Sequence, residues 1–180
     1  MTSSVFRLPH YAFWGNLVWF QVAWLVAVLG QTPWLPGLLT LLVLHFVLLR
    51  QPLRELVCVG AAALLGIAVD IALTLCGVFV FEQALLPIPL WLIGLWVVFT
   101  ATLPHSLNYF YRRPLIAAGC AAISAPLSYI TGWRFQAVEF PYGLTVTFFI
   151  LAVVWAALMP ALIAVMRYMA QRSDYELATN

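Results

Sequence analysis

"AAALLGIAVDIALTL", residues 61–75, carries a single charge, Asp70, among apolar and small residues. At helical spacing Ala63, Gly66, Asp70, Thr74 and Gly77 share one face, and Leu64, Ile71, Leu75 and Val78 lie on the opposite one. Small residues let a neighbouring backbone come close, and large aliphatic ones suit lipid. The stretch reads as a membrane-spanning helix whose acid points into a bundle. A carboxylate at mid-span costs about 2.5–3.5 kcal/mol even on insertion scales, so its presence calls for a reason.

The whole chain fits that reading. Of its 180 residues 65% are hydrophobic and 8% charged, and the mean hydropathy is +1.02. A soluble domain has about a quarter of its residues charged, so the solvent here is lipid. A hydrocarbon core of about 30 Å takes roughly 20 apolar residues per helix. Six such stretches are legible, at about 11–29, 34–49, 56–80, 90–109, 115–131 and 144–166. The expected fold is an all-α, polytopic bundle of six transmembrane helices over residues 11–168, with an N-terminal segment, 1–10, and a polar tail, 169–180. The first span is crowded with tryptophans and lacks an A-x-A site, which argues against a cleaved signal peptide.

Orientation follows from the arginines. With the N-terminus inside, Arg7, Arg50, Arg54, Arg112, Arg113, Arg167 and Arg172 are cytoplasmic and only Arg134 is outside. That bias places both termini in the cytoplasm. Gln31, Gln83 and Gln136 are then outside and Gln51 inside. Trp34, Trp91 and Trp133 would mark the outer boundary, and Tyr11, Tyr109, Tyr111 and Tyr168 the inner one. A multi-pass protein of a bacterial inner (plasma) membrane is the expectation.

Depth along the spans groups the polar residues into two layers. Asp70, Gln21, Thr100 and Ser124 fall near the midplane, with Ser128 and Tyr129 somewhat further out. This layer is either a hydrogen-bonded tie between helices or a proton or substrate site. A second layer nearer the cytoplasm holds Asn16, His45, His105 and Asn108, with His45 and His105 at matching depth and expected to approach each other. Two imidazoles could serve a relay or a metal, but without a nearby acid structural hydrogen bonding is the simpler role. No metal and no cofactor are expected.

Several chemistries are excluded. The chain has no Lys, hence no Schiff base and no GxxxxGK[ST] loop, and it has no GxGxxG. Ser106 adjoins His105, but neighbouring helical residues point about 100° apart, and no GxSxG elbow is present. Cys58 and Cys76 lie on one expected helix, about 27 Å apart, too far to bridge; with Cys120 they read as small buried residues. Nothing points to nucleic acid. Pro104 and Pro126 interrupt the fourth and fifth spans and free carbonyls at Thr100 and Ala122. Ala117, Ala121 and Ala125 form a small-residue seam for close helix contact.

The segments "RQPLRELV" (50–57), "LLGIAVDIALTLCGVFVF" (64–81), "PLWLIGLWVVFTATLPHSLNYF" (89–110) and "APLSYITGWRFQAV" (125–138) carry a family resemblance. Through them, nearly the whole chain resembles a family of small bacterial inner-membrane proteins classed as a domain of unknown function. That pattern leads one to expect a polar residue before His105, so Pro104 is a local departure. The resemblance implies a six-helix membrane protein whose genes often neighbour those for cyclopropane-fatty-acid synthase-like lipid methyltransferases and flavin oxidoreductases. It thereby implies an accessory role in membrane-lipid modification or maintenance, with membrane lipids and a membrane or lipid-enzyme protein as partners. Two other classes stay open: a small-solute or lipid transporter, for which Asp70 and the proline helices speak, and an intramembrane enzyme using His105 or Asp70.

Overall fold

The computed structural model describes residues 13–82 and 86–179, with side chains as far as 172. Arg7, Tyr11, Gln83 and the segment 1–10 lie outside the described residues, as do the side chains of most of the polar tail. Seven helices follow in order: α1 (Trp14–Gly30), α2 (Leu35–Leu48), α3 (Pro52–Leu75), α4 (Leu90–Thr100), α5 (Asn108–Tyr111), α6 (Pro114–Arg134) and α7 (Gly143–Thr179). The fold is all-helical among the described residues, apart from isolated bridging such as the antiparallel pair Val80 and Glu139.

Among the described residues, three helices are long and apolar enough to cross a membrane: α3, α6 and residues 143–172 of α7. At 1.5 Å per residue the 24 residues of α3 reach about 36 Å, beyond the hydrocarbon thickness. The helices α1, α2 and α4 are apolar but shorter. The large apolar side chains that face outward on the long helices, among them Leu64 (67% exposed) and Val153 (72%), agree with a lipid surrounding.

The expected fourth span, 90–109, is corrected. The helix α4 stops at Thr100 after 11 residues, and 101–107 winds through turns before α5. Pro104 has no N–H to give to the Thr100 carbonyl, which instead accepts from Leu103 N–H at 3.2 Å. The broken backbone is wrapped in protein, with Ala101, Thr102 and Leu103 buried, as irregular backbone at membrane depth must be. Pro126 in α6 and Pro160 in α7 leave their helices continuous.

The expected third span also shifts, starting at Pro52 and ending at Leu75. Its end is a Schellman turn: Gly77, at φ +74°, donates to the Thr74 carbonyl, and Val78 N–H donates to that of Leu73. Gly77 therefore leaves the Asp70 face, and Val78 tucks inward, buried rather than lipid-facing. The helix α6 ends the same way, with Gln136 at φ 58° and Ala137 N–H on the Gly132 carbonyl. The two exit strands then meet, Val80 and Glu139 exchanging hydrogen bonds of 3.1 and 2.8 Å, and Tyr142 donates to the Cys76 carbonyl at 2.9 Å. This cap closes one end of the bundle. Trp91 packs there against Phe81 and is buried.

The helix α3 lies against α4 and α7, α6 runs along α7, and α1 packs on α4 and α2. The inward stripe of α7, including Leu151, Trp155, Leu158, Leu162 and Met166, recurs every three or four residues. Gly66 sets the approach of α4 to α3. A Cβ there would lie 2.2 Å from the Trp96 ring, so only glycine lets that ring lie across α3. Gly66→Ala is expected to destabilise the protein by about 1–3 kcal/mol, as overpacking does. Thermal unfolding in detergent measures this, and adding Trp96→Leu should make Gly66→Ala nearly neutral.

Candidate functional site

Among the described residues, Asp70 and Glu55 each anchor a buried polar centre, and a cavity lies beside the first of them. The first centre is Asp70, one helical turn beyond Gly66. Its carboxylate accepts from Trp96 Nε1 at 2.7 Å and from the Tyr129 hydroxyl at 2.8 and 2.9 Å. Trp96 stacks on Trp155 of α7 with ring centroids 5.4 Å apart, and Tyr129 stacks on Phe79 of the cap at 5.0 Å. One buried carboxylate thus orients two aromatic rings from α4 and α6, and those rings carry the contact on to α7 and the cap.

Of the residues grouped with Asp70 by depth, only Tyr129 meets it. Thr100 is buried elsewhere, donating among the carbonyls of Val59, Trp96 and Val97. The reason is geometric: Trp96 takes the level of Asp70, and Thr100, one turn further along α4, sits deeper. Gln21, Ser124 and Ser128 lie on the far side of the Trp96 and Tyr129 rings, where they line the cavity. Trp96 itself was missed, because nothing distinguishes it within an unbroken apolar run.

That cavity measures about 500 Å³ and lies between α1, α4, α6 and α7. Its walls are largely aromatic, including Phe20, Trp24, Trp91, Trp96, Phe99 and Tyr129, and the alanine seam Ala117, Ala121 and Ala125 forms part of its floor. Gln21, Ser124 and Cys120 are exposed, so its open side faces outward between α1 and α6. Trp24 Nε1 reaches across that gap to Ser128 Oγ at 3.0 Å, and Gln31 Nε2 to the Gln136 carbonyl at 3.5 Å. Asp70 stands behind the wall rather than in the cavity. Cys58 is buried in the bundle, whereas Cys76 and Cys120 reach its surface; none is in a disulfide.

The second centre lies at the opposite end from the cap. Glu55 Oε1 stands 3.2 Å from His45 Nε2 and 2.6 Å from His105 Nε2, and the two imidazole centroids are 5.8 Å apart. Both histidines are buried. Trp19 stacks on His45 at 4.5 Å and donates its indole N–H to the Leu41 carbonyl at 2.9 Å. One donor atom from each of His45, Glu55 and His105 lies within 4.8 Å of the others. Glu55 supplies the acid whose absence argued against a metal. It was assigned to the connection after α2, but Pro52 opens α3, which puts Glu55 in its first turn and turns it inward. Pro at the first helical position was the signal available.

Asn16 and Asn108 do not join the histidines. Asn16 Oδ1 accepts from the backbone N–H of Ser106 at 3.3 Å and from its hydroxyl at 2.7 Å, and the buried Asn16 Nδ2 has no partner among the described residues. Asn108 is exposed, beside Tyr109, Arg112 and Arg113. Around this end Arg54 reaches the Ala170 carbonyl at 3.5 Å and Arg167 that of Tyr111, so the arginines tie α3 to α7 and α7 to α5.

Asp70→Leu should strand the Trp96 and Tyr129 donors, and Tyr129→Phe should remove one of them. In a double-mutant cycle read by thermal unfolding, the coupling is expected at about 0.5–2 kcal/mol, the range of hydrogen bonds inside membrane bundles. Additive losses would show that the bond contributes nothing.

No curated protein and no solved structure matches the chain. A family model does match, over residues 13–161, which takes in both polar centres and the cavity. The chain belongs to that family, described as protein of unknown function DUF2878.

Proposed function

We propose that this is a six-span membrane protein, with both ends cytoplasmic, that takes the apolar part of a membrane lipid through the gap between α1 and α6 into the aromatic cavity. The observation that carries the reading is the cavity itself: about 500 Å³, walled by aromatic rings, and open sideways where a bilayer would lie. That volume is in the range of small-ligand sites. Gln21, Ser124 and Ser128 at the open side offer hydrogen bonds to a headgroup or a chain-borne polar group, while the rings take hydrocarbon. A role holding lipid for a modifying enzyme agrees with the family resemblance. Carriage of a small polar solute is less well supported, because the cavity walls offer such a solute few partners.

In this reading α1, α2 and the α4–α5 pair complete the bundle with α3, α6 and α7. Arg50, Arg54, Arg112, Arg113 and Arg167 face the cytoplasm, and the cap faces the opposite side. Reporter fusions at Gln31 and Gln136 should report outside, and a fusion at Gln51 inside; a cytoplasmic signal at Gln136 overturns the topology.

Lipid entry is tested by mass spectrometry of lipids retained after purification in mild detergent. Ser124→Trp fills the open side from an exposed position, and should lower the retained lipid about tenfold, the equivalent of about 1.4 kcal/mol in affinity. Wild-type protein that retains no lipid above the bulk membrane composition would sink the proposal.

A further inference from the structure

We propose that His45, Glu55 and His105 form a three-ligand site for a divalent transition ion of the zinc or ferrous class. The two Nε2 atoms converge on one carboxylate oxygen, at 3.2 and 2.6 Å. A structural hydrogen bond needs one imidazole on that oxygen; two place a pair of ring nitrogens where one cation can replace both N–H protons. Tetrahedral coordination with bonds of about 2.0–2.2 Å sets ligand atoms about 3.3 Å apart. The His45–Glu55 pair already has that spacing, and the His105–Glu55 pair attains it by opening roughly 0.7 Å. Imidazole nitrogens with a carboxylate select zinc or iron over magnesium and calcium, which take oxygen ligands.

The surroundings fit an ion. The ligands come from the end of α2, the first turn of α3 and the turns after α4, so one ion would join three separate elements. His45 is sealed by the Trp19 ring, which fixes the imidazole plane. A second observation points the same way. Asn16 is one turn from Trp19 on α1, and its Oδ1 is fixed as acceptor by the Ser106 backbone N–H, so its Nδ2, which has no acceptor among the described residues, is not relieved by flipping the amide. Ser106 adjoins His105. A buried donor without an acceptor in this neighbourhood suits an oxygen carried on the open fourth position that three protein ligands leave.

The experiment uses full-length protein purified in detergent through a histidine-free tag. Elemental analysis without added metal distinguishes zinc from iron. After chelator treatment, Co²⁺ is titrated in as a spectroscopic probe, followed by competing Zn²⁺. Expected are visible Co²⁺ bands saturating at about one ion per chain, their loss on adding Zn²⁺, and a higher melting temperature with metal, since binding to the native state alone stabilises it. His45→Gln and His105→Gln should each abolish the bands. If a variant fails to fold, the wild-type titration still decides. Wild-type protein that shows no Co²⁺ bands and no metal-dependent melting shift overturns the site and leaves a hydrogen-bonded His–Glu–His cluster. Bands that survive in both variants overturn this choice of ligands.

Discussion

The carboxylate of Asp70 is the interaction on which the interior is arranged. It sits where water is not available to relieve it, so its oxygens must be satisfied by protein, and Trp96 and Tyr129 do so. Each donor is a large ring, and fixing the polar edge of a ring fixes its whole plane. Trp96 can reach the acid only by lying flat on Gly66, and from there it stacks on Trp155. Tyr129 can reach it only by turning toward α3, which presents its face to Phe79 of the cap. The part of the cavity wall made by Trp96 and Tyr129 is thus a consequence of satisfying one acid. The acid's place in the bundle need not be explained by contact with a ligand.

The break after α4 has a comparable effect at the other end. A continuous helix through residues 101–107 would have kept His105 and Asn108 on one face, as their spacing of three suggests. Pro104 removes a donor, and the chain answers with turns in which Thr102 accepts from both His105 and Leu107. The turns aim His105 at Glu55 and Ser106 at Asn16, and leave Asn108 on the surface. The departure from the expected pattern before His105 therefore coincides with the place where the backbone is rebuilt to deliver two polar side chains inward.

These two regions show what could be read from the chain. The all-helical class and the inward face of α3 with Gly66 and Asp70 were legible, because small residues at helical spacing report close packing directly; on α6 the alanine seam instead forms part of the cavity floor. The approach of His45 and His105 followed from depth, which arginine-marked helix ends make measurable. The partners of Asp70 were not legible. Depth alone cannot say which way a side chain turns about its helix, so Thr100, Gln21 and Ser124 were grouped with an acid they do not touch. Glu55 was hidden by a helix start placed four residues too late, and the length of α4 by a proline whose consequence, kink or break, depends on what surrounds it.

The helix α1 connects the two regions in a way neither shows alone. Its contacts across the cavity mouth and over the histidines are made by tryptophans: Trp24 spans to Ser128 on α6, and Trp19 covers His45. The two are five residues, about 7.5 Å, apart along one helix. By contrast α3 and the segment from α4 to α5 are held at both levels, by Asp70 with Trp96 and by Glu55 with His105, so that pair forms the rigid frame. On the proposed reading, a bulky apolar chain entering between α1 and α6 would part Trp24 from Ser128, on the same helix whose Trp19 covers His45. The helix α1 thus carries one tryptophan to the gap toward α6 and another over the buried histidines, so a single rigid element borders both the cavity mouth and the histidine cluster.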